Sequence, residues 1–340
     1  MTTELFSKER LSAFSAEQIE FFETEGYLVL DDVYDEALVA RTCGEIHARI
    51  DVYLQEESDG TVDRFENEPF QTRLARIAEQ DLDLASRVLA RLTGGGGGEH
   101  TGPAILDFIR CERLLEYMQD LVGETIIGSS VYRIRPKLPN YGRGVVPWHQ
   151  DSGYLLRHCD SELIVTCWIP LVDADSENGC LQVLPRCHKR GILEHRTGGP
   201  AGFLIIPDEA LPKDVEPVTV PVKRGGVLLM TDMTPHCSTP NTTEHIRWSV
   251  DLRYQSAAVP NDIKPPIAPP VQAAAEAASE GVEVACHPPE ADFIIRDPAH
   301  PDREVTDVEA LRRIRAGLSY GDVPDALRHK WVPAEENIER

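Results

Sequence analysis

From about residue 125 to residue 256 the chain is a succession of short β-rich runs. They read "TIIGSSVYRIRP", "ELIVTCWIPLV", "CLQVLP", "GFLIIP", "VEPVTVPV", "GVLLMTD" and "RWSVDLRYQS", and Pro, Gly, Asn or Asp punctuates them. No helical period comes between them. Strands at this spacing, without crossover helices, build a sandwich or jelly roll and not a Rossmann sheet. The predicted fold is mainly β with flanking helices, on a double-stranded β-helix (jelly-roll, cupin-like) core.

The last run carries the clearest periodicity. In "HIRWSVDLRY", Ile246, Trp248, Val250 and Leu252 alternate with Arg247, Ser249, Asp251 and Arg253. Successive side chains of a strand point to opposite faces, so one face is apolar and the other carries charge.

The first hundred residues have a helical texture instead. Ser15 followed by Gln18 reads as a capping box opening "AEQIEFFETEG", with Gly26 as the stop. A strand "YLVLDDV" follows, then a helix over about 35–56 and a polar turn region over 58–69. One further helix is predicted for "PAILDFIRCERLLEYMQDLVG". The run "TGGGGGEH" at 93–100 lacks the Gly-Lys-Ser/Thr ending of a phosphate loop, and no apolar strand precedes it, so it reads as a connector. Beyond 256, "KPPIAPP", the Ala/Glu-rich "VQAAAEAASEG" and a helix "DVEALRRIRAGL" suggest an irregular wrap over the core. The expected organisation is a single domain over 1–340. It comprises a mainly helical part at 1–125, a jelly-roll core at 126–256 and a C-terminal wrap at 257–340.

Composition narrows the partners. The 340 residues are 41% hydrophobic, enough for a sizeable core, and the net charge is −23. That charge repels nucleic acid and anionic membrane surfaces at long range, so a small-molecule substrate is the expected partner. The N-terminus lacks a basic region followed by an apolar core, and no run approaches the roughly 18 apolar residues that span a bilayer. A cytoplasmic location is expected, and the oligomeric state is left open. The eight cysteines include no Cys-x-x-Cys pair, which argues against a structural zinc module and a thioredoxin-type site.

Chemistry centres on "VVPWHQDSGY", residues 145–154. On a strand, His149 and Asp151 would share a face roughly 6.6 Å apart, with Gln150 turned away. The same His-x-Asp spacing recurs at His158–Asp160 and His300–Asp302, so the triplet alone decides nothing. His236, after the apolar strand "GGVLLMTD", can supply a third ligand from a distant strand. Two imidazoles and one carboxylate with open positions suit a non-haem Fe(II) oxygenase. Arg247 stands eleven residues further on, on the polar face of its strand. Its planar fork suits a carboxylate in a way lysine does not.

The order of four motifs resembles the phytanoyl-CoA dioxygenase family of Fe(II)/2-oxoglutarate oxygenases. They are "RPKLPNYGRGVVPWHQD", "LIVTCWIPLVDADSENGCLQVLPRCHK", "KRGGVLLMTDMTPHCSTPN" and "RWSVDLRY". The opening "SAEQIEFFETEGYLVLDDV" is also similar to the family's usual start. The resemblance spans about 15–255. It implies that His149, Asp151 and His236 bind Fe(II), and that Arg247 holds the side carboxylate of 2-oxoglutarate with help from Ser238. It further implies that Trp168 lines the cofactor pocket. Arg135 falls where many members have lysine before "PP", so its part in cofactor or substrate binding stays open. "PRCHK" departs from the usual "PGSHK" and allows a substrate-specific loop. The implied reaction uses O2 and 2-oxoglutarate, releases succinate and CO2, and oxidises a C–H bond beside the metal. A carboxylate at Asp151, where related halogenases have a small residue, favours hydroxylation, with desaturation or ring formation as the alternatives.

Other readings compete. His158 and Asp160 suit a solvated loop better than a lid, and His300 and Asp302 lie in a Pro-rich acidic loop. Arg253 reads as a structural ion-pair residue and Trp248 as a core aromatic. "DADSENG" reads as a turn because its glycine is one place late for a calcium loop. Cys159, Cys180, Cys187 and His188 match no zinc-ligand spacing. A non-catalytic cupin-like binding protein and a zinc hydrolase using the same ligands remain as rival functions. The substrate pocket is expected to draw its walls from loops after 153, around 186–200 and in the C-terminal tail.

Overall fold

A computed structural model of the chain describes residues 13–95, 101–128, 132–155, 163–196, 203–257, 293–316 and 331–332. His158, Cys159, Asp160, Cys286, "KPPIAPP" and "VQAAAEAASEG" lie outside the described residues.

The chain opens with α1 (Ala16–Glu25), β1 (Tyr27–Leu30) and α2 (Glu36–Glu57). At the head of α1 both halves of the capping box form, Ser15 with Gln18, and Gly26 closes the helix at φ +84°. Only glycine suits Gly26, because a Cβ there would also sit 2.2 Å from His188 Nδ1. Helices α3 (Phe70–Gln80) and α4 (Leu82–Ala90) follow, and a π-helical turn spans Arg91–Gly95. That turn takes up the start of the glycine run.

The single helix predicted for 103–123 is two, α5 (Pro103–Ile109) and α6 (Glu112–Val122). The break has a tertiary cause. The carbonyls of Phe108 and Ile109 accept from the Tyr34 and Tyr254 hydroxyls at 3.1 and 2.6 Å, so α5 ends on partners from distant segments.

Two antiparallel sheets form the core. The strands are β2 (Ile126–Gly128), β3 (Arg133–Lys137), β4 (Ile164–Pro170), β5 (Leu181–Val183), β6 (His195–Arg196), β7 (Val218–Val220), β8 (Val227–Thr231), β9 (His236–Ser238), β10 (Arg247–Ser256) and β11 (Phe293–Arg296). The large sheet runs β1-β8-β4-β10-β2-β11, and β3 pairs with the first half of β10. The small sheet runs β7-β5-β9. After β11 come α7 (Val308–Ala316) and β12 (Trp331–Val332), which pairs with β6 in parallel. The two sheets form a jelly-roll sandwich and do not join into a closed barrel among the described residues.

The strand periodicity sorts the layers. Val165, Cys167 and Ile169 of β4, Val227 and Leu229 of β8, and Trp248, Val250, Leu252 and Tyr254 of β10 pack in one cluster with Phe22, Ile46, Leu114 and Met118 of the helices. Trp248 stacks on Phe70 with ring centroids 4.7 Å apart, so it is a core aromatic as its position suggested. The opposite faces of β4 and β8 contribute Trp168, Leu228 and Met230 to a second cluster with Leu181, Val183 and Val220 of the small sheet. The candidate site residues lie between the sheets.

The C-terminal region is more than a wrap. β11 pairs with β2 and so completes the large sheet, with Arg110 tying its Ile295 carbonyl to the end of α5 at 2.7 Å. The helix predicted in "DVEALRRIRAGL" forms as α7. No helix among the described residues is long and apolar enough to cross a membrane.

Candidate active site

The small sheet and the loop before β4 bring His149, Asp151 and His236 together. His149 and His236 exchange backbone hydrogen bonds of 3.0 and 2.9 Å in an isolated antiparallel bridge, which sets their rings 4.2 Å apart. The expected strand stops there. Asp151 opens a 3-10 turn, Asp151–Tyr154, so it meets the histidines through a change of backbone direction and not through strand alternation. Gln150 is fully buried and does more than face away. Its amide donates to the carbonyls of Gly191 and Met233 at 3.0 and 2.7 Å and accepts from the Leu193 amide at 2.7 Å. That side chain fixes the turn.

Ligand atoms of the three residues lie within 4.8 Å of one another, and all three are buried. The imidazoles are set up as ligands. His149 Nδ1 faces the Pro147 carbonyl and His236 Nδ1 the Thr234 carbonyl, both at 2.9 Å. A carbonyl only accepts, so each Nδ1 carries a proton and Nε2 is the ring nitrogen left to serve as a ligand. Burial, and then the neighbouring His236, push the His149 imidazole down to about 3, which keeps it neutral.

Asp151 is equally constrained. Arg253 donates to it through Nη2 to Oδ1 at 2.9 Å and Nε to Oδ2 at 3.1 Å, and Thr166 Oγ1 donates to Oδ2 at 2.5 Å. Burial raises the acid, but the Arg253 guanidinium, charged and hydrogen-bonded to both oxygens, outweighs it and holds Asp151 well below the usual carboxylate range. Oδ2 has both acceptor positions filled, whereas Oδ1 keeps one, on the side where His149 Nε2 lies 3.7 Å away. Two imidazoles and one ionised carboxylate oxygen therefore converge, a donor set that fits Fe(II).

A cavity of about 240 Å³ adjoins the triad, and every sequence-predicted site residue lines it: His149, Asp151, His236, Arg247, Ser238, Trp168 and Arg135. Arg247 is 3% exposed. Its Cζ lies 5.1 Å from the centroid of the Trp168 ring, Nη1 donates to the Ser249 hydroxyl, and its Nε has no partner among the described residues. Burial lowers the guanidinium to about 10, still charged near neutrality. A buried cation with an unsatisfied donor is suited to an incoming carboxylate.

Lys137 was not anticipated. It pairs with Arg247 in the β3–β10 register and is 2% exposed. Its Nζ donates to Ser238 Oγ at 2.6 Å and to the Thr239 carbonyl. Burial, then the charge of Arg247, lowers it to about 7. Ser238 Oγ also accepts from the Val146 amide at 2.9 Å, so its own proton is left to donate. The resemblance set the family's lysine position at Arg135, yet a lysine stands two residues on, on the same strand face. The period-2 row Arg133, Arg135, Lys137 was the available signal.

Four cationic side chains, Arg135, Lys137, Arg247 and Arg253, face the cavity against the carboxylates of Asp151 and Asp251. In a chain of net charge −23 this is a local reversal of sign that favours a dianion. Of the expected pocket walls, Phe203 lies just past the 186–200 loop. Gly144, Val146 and Thr93 of the π-helical turn are additional.

Among the described residues the competing constellations do not assemble. His300 is exposed and Asp302 sits in a short surface turn, with His300 Nδ1 3.5 Å from Asp297. Cys180 and Cys187 are buried free thiols, and burial raises both. In "DADSENG" the Asp175 carboxylate accepts from the Glu177 and Asn178 amides, which is a turn between β4 and β5.

A family model described as phytanoyl-CoA dioxygenase matches residues 22–249. Phytanoyl-CoA dioxygenase domain-containing protein 1 of Mus musculus is 24% identical over 273 residues, covering 73% of this chain and 92% of that protein. The methylphosphonate hydroxylase of Gimesia maris is 32% identical over 141 residues, covering 41% of this chain and 48% of that one. Among solved structures, an apo non-heme monooxygenase, ThoJ, shares the fold with a TM-score of 0.55 at 16% identity, over 88% of this chain and 93% of that one.

Proposed function

Because the chain belongs to the phytanoyl-CoA dioxygenase family, we propose that it is an Fe(II)- and 2-oxoglutarate-dependent dioxygenase that hydroxylates an unactivated C–H bond of a small-molecule metabolite. The observation that carries this reading is one cavity holding both a buried His149–Asp151–His236 set and, beside it, a buried Arg247 with an unsatisfied donor.

Each part has a derived task. His149 and His236 would present Nε2 to the metal, and Asp151 its free Oδ1 position, leaving the remaining coordination positions to small molecules. Arg253 and Thr166 hold the carboxylate in one orientation. Arg247, Lys137 and the Ser238 hydroxyl would receive the far carboxylate of 2-oxoglutarate, and Trp168, Leu181 and Met230 keep water from that end. When bound, iron with 2-oxoglutarate supplies the oxidising power of O2, with succinate and CO2 as the by-products. A carboxylate at Asp151, where related halogenases have a small residue, favours hydroxylation over halogen transfer.

The test is conversion of 2-oxoglutarate to succinate by the Fe(II)-loaded protein, stimulated by substrate candidates. Loss of both metal binding and turnover in Asp151→Ala supports the reading. Turnover that survives Asp151→Ala, or activity that is anaerobic and independent of 2-oxoglutarate, overturns it.

A further inference from the structure

We propose that Arg135 anchors an anionic group of the substrate, so that the substrate is a small organic acid, a carboxylate or a phosphonate. This rests on the oxygenase reading above.

Arg135 and Lys137 project from the same face of β3, but their surroundings differ. Lys137 and Arg247 are almost fully buried, whereas the Arg135 side chain is 33% exposed where the cavity opens, its Cζ 6.0 Å from the Phe203 ring centroid. The closed end thus has two cations for the cosubstrate, and Arg135 faces the side from which a substrate enters.

The guanidinium is held by one edge only. Its Nε donates to Asp251 Oδ1 at 2.9 Å, and neither Nη has a hydrogen-bond partner among the described residues. Asp251 is itself buried and kept ionised. Burial raises its acid, but Arg135 and Arg253 together lower it further. Its other oxygen lies 3.4 Å from Arg253 Nη1. Asp251 therefore fixes the Nε edge on the sheet and leaves the two-nitrogen edge free. Two parallel N–H donors in a plane match the oxygens of a carboxylate or phosphonate.

The same ion pairs connect the anchor to the candidate metal site. Arg135, Asp251, Arg253 and Asp151 form a continuous chain of pairs with contacts of 2.9, 3.4 and 2.9 Å. Arg135 and the triad line one cavity of about 240 Å³, which suits a compact acid.

The test uses the full chain with Fe(II) and saturating 2-oxoglutarate under anaerobic conditions. The visible charge-transfer absorption of that complex reports occupation of the neighbouring substrate position. Butyrate and ethylphosphonate are the probes, with butyramide and diethyl ethylphosphonate as uncharged counterparts. At least one anion is expected to shift the band and to bind tenfold or more tightly than its counterpart, about the worth of one charge-assisted contact. Arg135→Gln should lose that preference and Arg135→Lys should retain part of it. Which anion prevails separates a carboxylate from a phosphonate substrate. Equal binding of charged and uncharged probes, equal binding by Arg135→Gln, or no response to any probe overturns the proposal. So does an Arg135→Gln variant that loses 2-oxoglutarate as severely as the anion, since Arg135 would then serve the cosubstrate. Absence of the band in the wild type overturns the oxygenase reading itself, a result distinct from a band that forms and ignores the anions.

Discussion

Arg253 grips Asp151 with two hydrogen bonds across the cavity wall, Nη2 to Oδ1 at 2.9 Å and Nε to Oδ2 at 3.1 Å. The partners stand 102 residues apart, yet the pair determines which oxygen of the carboxylate is left for a metal. Arg253 was expected to be a structural ion-pair residue, and it is one, but the acid it pairs with belongs to the site.

Removing this grip should be felt in metal affinity first. Arg253→Gln is expected to weaken Co(II) or Fe(II) binding by about 10- to 100-fold, the usual cost of losing a group that orients a metal ligand. It should also lower the melting temperature of the metal-free protein, because a buried carboxylate loses its countercharge. Adding Asp151→Asn should recover part of that stability without restoring metal binding. Calorimetric titration and thermal melts of the wild type and the two variants check this, and unchanged metal affinity in Arg253→Gln would refute it.

At the closed end, Arg247→Gln is expected to raise the Kd for 2-oxoglutarate by about 100-fold or more, as for a truncated buried charge pair. Arg247→Lys should fall between, keeping the charge and losing the fork. Equilibrium binding at fixed Fe(II) measures both. A lysine variant equal to wild type would show that geometry does not matter at this position.

Lys137 links stability to pH. Its folded value, about 7, lies below the ordinary 10.5, so between those limits the unfolded chain holds more protons than the folded one. Stability of the ligand-free protein should therefore rise with pH across that window as far as this group is concerned. Lys137→Met should melt a few degrees higher than wild type near pH 7, with the gap closing toward pH 10. The same variant should bind 2-oxoglutarate more weakly, and wild-type affinity should decline as pH rises above about 7. A gap that does not change with pH would contradict the assignment.

Metal should stabilise the fold through the triad. At a concentration 100-fold above Kd, Co(II) is expected to add about 2.7 kcal/mol, seen as a rise in melting temperature of several degrees and reversed by EDTA. Asp151→Ala should abolish most of that rise. An equal rise in the variant would place the ion elsewhere.

Gln150→Ala should destabilise the protein by about 1–3 kcal/mol, since three backbone groups, the buried Met233 carbonyl among them, lose their partner at once. The turn carrying Asp151 would loosen with them, so metal affinity should fall in parallel. Urea unfolding together with a metal titration tests the pair of effects.

Much of this was legible in the chain. The alternation in "RWSVDLRY" separated an apolar face, Trp248, Val250 and Leu252, from a polar one, Arg247, Asp251 and Arg253, and the fold packs the first against the helices and turns the second to the cavity. The Ser15/Gln18 capping box formed as spelled. The His149–Asp151 spacing was informative, although its stated reason was not: Asp151 sits in a 3-10 turn latched by Gln150, and no local pattern announces a latch whose partners are at 191, 193 and 233. The division of 103–123 into two helices was hidden for the same reason, since the hydroxyls that end α5 come from Tyr34 and Tyr254.

The sequence by itself determined what depends on neighbours a few residues apart: helix caps, strand alternation, and which residue types could bind a metal or a carboxylate. Tertiary structure alone decided what depends on register between distant strands. The pairing of β3 with β10 set Lys137 beside Arg247, and the pairing of β10 with β4 brought Trp168 opposite Asp251. Interactions between charges are fixed by separations of a few ångströms and by burial. Both arise only when the strands pair and the sheets close over the cavity, so the roles of Lys137, Arg253 and the free edge of Arg135 could be read only from the folded chain.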